Sequence, residues 1–142
     1  MAALAMLYLL VMAAPATVDS NIDCPGWCDQ CTSFVAEYVH RLTGKWPAFY
    51  GDAKDWADSA ARGGWTVSAV PRARSVLVLQ PGEYRTNDNI KTYIAGHMGH
   101  TGWVDSVSGN YIHVVDRNAQ SDGQYGERSL RIHPSMRFIY VE

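Results

Sequence analysis

An α+β fold is predicted, with helices first and an antiparallel sheet after them. Apolar residues recur at helical spacing only in the first half, at Phe34, Val35, Tyr38, Val39 and Leu42, then at Ala53, Trp56, Ala57, Ala60 and Ala61. β-branched and alternating stretches begin at Ser75 and fill the second half. Between two of them stands Ser108-Gly109-Asn110, a hairpin signal.

Taken in order, the first helix is expected from Cys31 to Leu42, with Asp29 near its N-cap and Gly44 closing it. The second is stopped by Gly63-Gly64. A strand from Ser75 to Gln80 is cut off by Pro81-Gly82. Glu83 to Gly96 is polar and long for a connection, which makes it a candidate substrate loop. Strands follow at His100 to Val107 and Tyr111 to Arg117, then a loop from Asn118 to Gly126, then short strands near Ser129 to Ile132 and Arg137 to Val141.

The hairpin carries a register. If Val107 pairs with Tyr111 across a three-residue loop, then His100, Gly102, Val104, Ile112, Val114, Asp116 and Asn118 share one face. The first helix would pack on Val104, Ile112 and Val114, with His100 and Asp116 meeting Cys31 at the rim. Trp103, Tyr111, His113 and Arg117 would face the other way. A two-residue turn would instead put His100 and Asp116 on opposite faces.

With 142 residues and 47% hydrophobic content, one domain is expected, spanning residues 24–142. A formal net charge of −2 gives no basic field for nucleic acid. Met1 to Ala16 is nearly all apolar and ends in Ala14-Pro15-Ala16, a pattern a signal peptidase cuts, although no Lys or Arg precedes it. Export to the medium or the cell envelope is the expectation, with no stable membrane span after processing; an uncleaved anchor and an ordinary buried helix are the alternatives. Pro15 interrupts the run short of the roughly 20 residues a span needs.

Three cysteines, Cys24, Cys28 and Cys31, leave one thiol over when one pair forms. The economical pairing is Cys24 with Cys28. Cys31 then opens a helix, where unpaired N–H groups stabilise a thiolate. With His100 as acid and base and Asp116 or Asn118 orienting its ring, this is the inventory of a cysteine hydrolase. The backbone N–H of Cys31 and the amide of Gln30 would hold the oxyanion. Trp103, Tyr84 and Tyr93 are candidate cleft residues, and His97 is a rival to His100. Trp56, Trp65, His40, His113 and His133 read as structural or solvated. No metal or organic cofactor is required, and a monomer is expected. Two other readings stand beside this one: a zinc-binding domain using the three cysteines and a histidine, and a secreted binding module without catalysis.

Five blocks in order carry a family resemblance. They are Gln30-Cys31-Thr32-Ser33-Phe34-Val35, Gly51-Asp52-Ala53-Lys54-Asp55-Trp56-Ala57, Gln80-Pro81-Gly82, Gly99-His100-Thr101-Gly102-Trp103-Val104-Asp105-Ser106-Val107 and Ile112-His113-Val114-Val115-Asp116-Arg117-Asn118. Together they resemble the CHAP family, the cysteine, histidine-dependent amidohydrolases/peptidases. The resemblance implies a papain-like α+β fold with Cys31, His100 and Asp116 as catalytic residues. It also implies cleavage of amide bonds in bacterial peptidoglycan, as an N-acetylmuramoyl-L-alanine amidase or as a stem or cross-bridge endopeptidase. The family usually has Glu where this chain has Asp116 and Asn where it has Asp52, and the segment from Gly82 to Gly99 is longer than typical.

Overall fold

Helix α1 (Cys31–Thr43) buries Phe34, Val35, Tyr38 and Val39, two adjacent pairs one turn apart. It stops at Gly44, whose φ of 75° lets its N–H bond to the His40 carbonyl at 2.8 Å. The computed structural model describes residues 30–85, 91–119 and 122–141, with the backbone alone at 83, 85 and 91–94. Asp29, the apolar segment Met1 to Ala16 and the expected pairing of Cys24 with Cys28 lie outside the described residues. A 3-10 segment (Ala53–Asp55) runs into helix α2 (Trp56–Arg62), and Asp52 and Asp55 cap it reciprocally.

The strands are β1 (Thr66–Ser68), β2 (Ser75–Leu79), β3 (Gly82–Arg85), β4 (Lys91–Ala95), β5 (His100–Ser108), β6 (Tyr111–Arg117), β7 (Tyr125–Arg131) and β8 (Arg137–Tyr140). Six form one antiparallel sheet in the order β1-β8-β2-β5-β6-β7, and β3 and β4 form a separate ribbon. The α+β class follows, helices before sheet.

The sheet is buried on both faces. On one, α1 and α2 pack Phe34, Tyr38 and Trp56 against Val76, Val78, Trp103, Val115 and Ile139. On the other, Tyr84 and Ala95 of the ribbon cover Leu77, Leu79, Val104, Ile112, Val114 and Phe138. Two-sided burial explains why β2 reads as an unbroken apolar run rather than an alternation. Each fully buried side chain of this size contributes roughly 1.5–3 kcal/mol.

The expected packing of α1 on Val104, Ile112 and Val114 is corrected: α1 packs on the opposite face, the one bearing Trp103 and Val115. Trp103 supplies the large ring that the aromatic stripe of α1 needs, and it meets Tyr38 edge-to-face at 5.3 Å.

The turn is corrected as well. Ser108 pairs with Tyr111, so the loop has two residues, with Gly109 at φ 58°. By parity alone this would separate His100 from Asp116. It does not, because β5 contains a bulge: Val104 pairs with Val114 and Ser106 with His113, leaving Asp105 as an extra residue. The bulge absorbs the residue by which the turn is short, and His100 and Asp116 face the same side.

Three further elements differ from expectation. The polar stretch from Glu83 to Gly96 holds the β3–β4 ribbon rather than an open loop. β1 is unexpected, and β7 begins at Tyr125, before the expected Ser129. Both are sheet edges with little buried surface, so neither carries an apolar alternation. Among the described residues, no helix is long and apolar enough to cross a membrane.

Candidate active site

Cys31 is the first residue of α1, after an extended Gln30 (φ −94°, ψ 151°) and with no acidic residue in the first turn to oppose a negative sulfur. Among the described residues it is a free thiol.

His100 is the first residue of β5, and its mount is built by three of the five sequence blocks. The Lys54 N–H donates to the Met98 carbonyl at 3.0 Å, and the Lys54 carbonyl accepts from Gln80 Nε2 at 2.9 Å. Gly99, at φ 74°, passes so close that a Cβ there would lie 2.6 Å from the Leu79 carbonyl oxygen and 2.8 Å from the Lys54 nitrogen. Only glycine fits this approach.

His100 is 5% exposed. Its Nε2–H donates to Asp116 Oδ2 at 2.8 Å, and the ring is hydrogen-bonded to Cys31, a contact that falls to Nδ1. Although α1 packs on the other face, both residues stand at the starts of their elements, where helix and strand ends meet. Burial is the strongest single influence on the ring and lowers its pKa. Hydrogen bonds to Asp116 and Cys31, joined by the negative charges of both, outweigh it and raise the pKa from 6.5 to about 9.

Asp116 is 1% exposed, so its charge needs partners. Oδ2 takes the histidine and Oδ1 accepts from Arg128 Nη2 at 3.1 Å. Both neighbouring strands leave room for this. A Cβ at Gly102 would lie 2.5 Å from Val114 Cγ1 and 3.3 Å from Asp116 Cβ, and one at Gly126, which pairs with Asp116, would lie 3.3 Å from Asp116 Oδ1.

The amide of Asn118 is engaged elsewhere. At φ 60°, its Oδ1 accepts from the Gly123 N–H at 2.7 Å and its Nδ2 donates to Gln30 Oε1 at 3.1 Å. A backbone N–H can only donate, so this chain of bonds orients both amides and leaves the Gln30 NH2 group directed away from Asn118.

Gln30, Cys31, His100 and Asn118 line a cleft of about 510 Å³ with Gly51, Asp52, His97 and Met98. His97 lines the same cleft, yet His100 is the ring that Cys31 and Asp116 hold. Two expected cleft residues are corrected. Trp103, 1% exposed, lies beneath α1 because its parity is opposite to that of His100. Tyr84 is buried in the second core, its hydroxyl donating to the Gln80 carbonyl at 2.7 Å. The side chain of Tyr93 lies outside the described residues.

Arg128 and Met98 were not singled out from sequence, and Asp52 was marked only as a departure from the family's usual Asn. Arg128 stands two residues from the one opposite Asp116, and the signal would have been visible had β7 been started at Tyr125. His40 stacks on Trp46, His113 pairs with Asp105 and His133 with Ser135, as structural histidines do. Two of the three cysteines of the zinc reading lie outside the described residues.

Staphylococcal secretory antigen ssaA2 of Staphylococcus aureus is 33% identical over 81 residues, 57% of this chain and 24% of that protein. Staphylococcal secretory antigen SsaA of Staphylococcus epidermidis is 32% identical over 114 residues, 79% of this chain and 38% of that protein. The chain therefore spans well under half the length of either. Among solved structures, an N-acetylmuramoyl-L-alanine amidase from Staphylococcus aureus has a TM-score of 0.67 at 21% identity, over 80% of this chain and 31% of its own. Ly7917 has a TM-score of 0.55 at 16% identity, over 79% and 53%. At these identities the likeness concerns the fold. The CHAP domain family matches residues 19–118, most of the chain and a span that includes Cys31, His100 and Asp116. The chain belongs to the CHAP domain family.

Proposed function

We propose that this protein is a cysteine amidohydrolase or peptidase acting on bacterial peptidoglycan. The observation that carries the reading is the continuous chain from the Cys31 thiol through the His100 ring to the Asp116 carboxylate, opening into a cleft at a helix N-terminus.

The reacting form is a thiolate beside an imidazolium. The sulfur adds to the scissile carbonyl carbon, and the Cys31 N–H and the Gln30 amide hold the oxygen as it becomes negative. His100 gives its proton to the departing nitrogen, the C–N bond breaks, and the acyl group remains as a thioester. A water then loses a proton to the neutral ring and attacks the thioester, and the acid is released with the starting pair restored. Asp116 keeps Nε2 protonated throughout, so that Nδ1 faces the sulfur.

Peptidoglycan is the substrate favoured by the family and by the amidase with which the chain shares its fold. Ly7917, the other structural relative, has been solved with the hydrolysing product of MDP. The apolar leader and the secretory antigens among the relatives favour export, with residues 24–142 acting as one catalytic unit. Mass spectrometry of digested peptidoglycan tests the reading. The wild-type protein should release fragments with new amine termini, and Cys31→Ala should fall at least ~10³-fold. Wall binding without new termini from wild type would establish a non-catalytic module instead.

A further inference from the structure

We propose that Arg128 is a positioning residue for the Cys31–His100 pair, acting through the carboxylate of Asp116. This rests on the reading of Cys31 and His100 as the reacting groups.

The geometry is a two-point hold. A carboxylate on a single bond can turn about Cβ–Cγ, and the bond to His100 fixes only Oδ2. The guanidinium takes Oδ1 at 3.1 Å from the next strand, so rotation would break a charge-assisted hydrogen bond as well as the histidine contact. Asp116 is 1% exposed on its side chain and Arg128 24%, so the arginine reaches in from the surface to a group closed to water.

A second observation points the same way. Gly126 stands directly opposite Asp116 on β7, and a Cβ there would lie 3.2 Å from Arg128 Nη2 and 3.3 Å from Asp116 Oδ1. Its φ is not in the left-handed region, so the backbone does not call for glycine at this position. What the missing side chain supplies is the space the guanidinium crosses.

The charged and titratable groups around the pair are few. Cys31 comes from α1, Asp116 from β6 and Arg128 from β7. Asp52 and His97 face the ring across the cleft, and Asp122 and Glu127 line the concavity beyond Arg128. Lys54 stands on the histidine mount through its backbone, and among the described residues Arg128 is the cation that pairs with Asp116. Removal of Arg128 therefore has two effects of opposite sign: a carboxylate with looser aim stabilises the imidazolium less, while a carboxylate without its counter-charge stabilises it more. Positioning predicts that the first wins.

The test is alkylation of Cys31 by iodoacetamide from pH 4 to 9, followed by peptide mass spectrometry on the full chain, which needs no substrate. A thiolate–imidazolium pair reacts at pH values where an ordinary thiol, with its pKa near 8.5, is almost silent. In Arg128→Met the reactive limb should move about one unit to higher pH, a loss of about 10-fold at pH values well below its midpoint and little change on the plateau above it. Arg128→Lys, which keeps the charge but not the planar fork, should fall between. Gly126→Ala should move the limb in the same direction by crowding the guanidinium, and it carries the test if Arg128→Met fails to fold. Arg131→Met, at the far end of β7, should leave the limb where it is. A limb unchanged or moved to lower pH in the folded Arg128→Met and Gly126→Ala proteins overturns the role of Arg128. A wild-type protein with ordinary thiol behaviour would instead overturn the reading of the pair itself.

Discussion

Two histidine–aspartate pairs sit on the same β5–β6 hairpin, one on either side of the strand axis and only a few residues apart. At the turn end, His113 Nδ1 lies 3.5 Å from Asp105 Oδ2, with the side chains 34% and 30% exposed. At the other end, His100 Nε2 lies 2.8 Å from Asp116 Oδ2, with the side chains 6% and 1% exposed. The residue types are identical, so residue type does not decide what such a pair can do. The inner pair is closed to water and has a second partner at each end, Cys31 on the ring and Arg128 on the carboxylate. The outer pair is partly exposed to solvent, which screens it.

The contrast can be broken most severely at Asp116. Asp116→Asn removes the charge that keeps the ring protonated and allows the wrong tautomer, so hydrolysis should fall ~10²- to 10⁴-fold with the fold retained, checked by turnover against circular dichroism. A more graded test is pH. Because the His100 pKa lies above its ordinary value, the proton given to the leaving nitrogen is present below pH 6.5 and is lost as pH rises through about 9. The alkaline limb of turnover should fall there, and a limb near 6.5 would show that Asp116 and Cys31 do not hold the ring as described.

The outer pair should matter little. His113→Gln is expected to change unfolding free energy by no more than ~0.5 kcal/mol in urea titration and to leave turnover alone. A small effect is also expected from deleting Asp105 altogether. The ladder would then run regularly from Ser108 to His100, and the inner pair would keep its shared face, so activity should stay within about threefold of wild type. Loss of activity on that deletion would mean that the extra twist of the bulge, and not only its count of residues, aims the histidine.

Helix α1 and the meeting of Cys31 with His100 and Asp116 were legible in the sequence, because a periodic apolar stripe and a cysteine at its head are local signals. The shared face of His100 and Asp116 was also expected, but through a three-residue loop that does not exist. A two-residue turn and a bulge give the same parity, and nothing in a run such as Val104-Asp105-Ser106 marks which residue is left unpaired. The packing face of α1 was misjudged because both faces of β5 and β6 are apolar, and periodicity cannot say which one meets a helix. Arg128 went unseen for a different reason. β7 is an edge strand whose residues, apart from Leu130, are at least partly exposed, so its hydrophobic pattern is too weak to show where it begins.

Lys54 holds the histidine mount together with its amide and its carbonyl, and its side chain takes no part in those two bonds. Any residue that accepts the same backbone path preserves them. The side chain at position 54 can therefore change, from cationic to neutral or acidic, without disturbing the two bonds that set the His100 ring, and the constraint there falls on the path of the backbone alone.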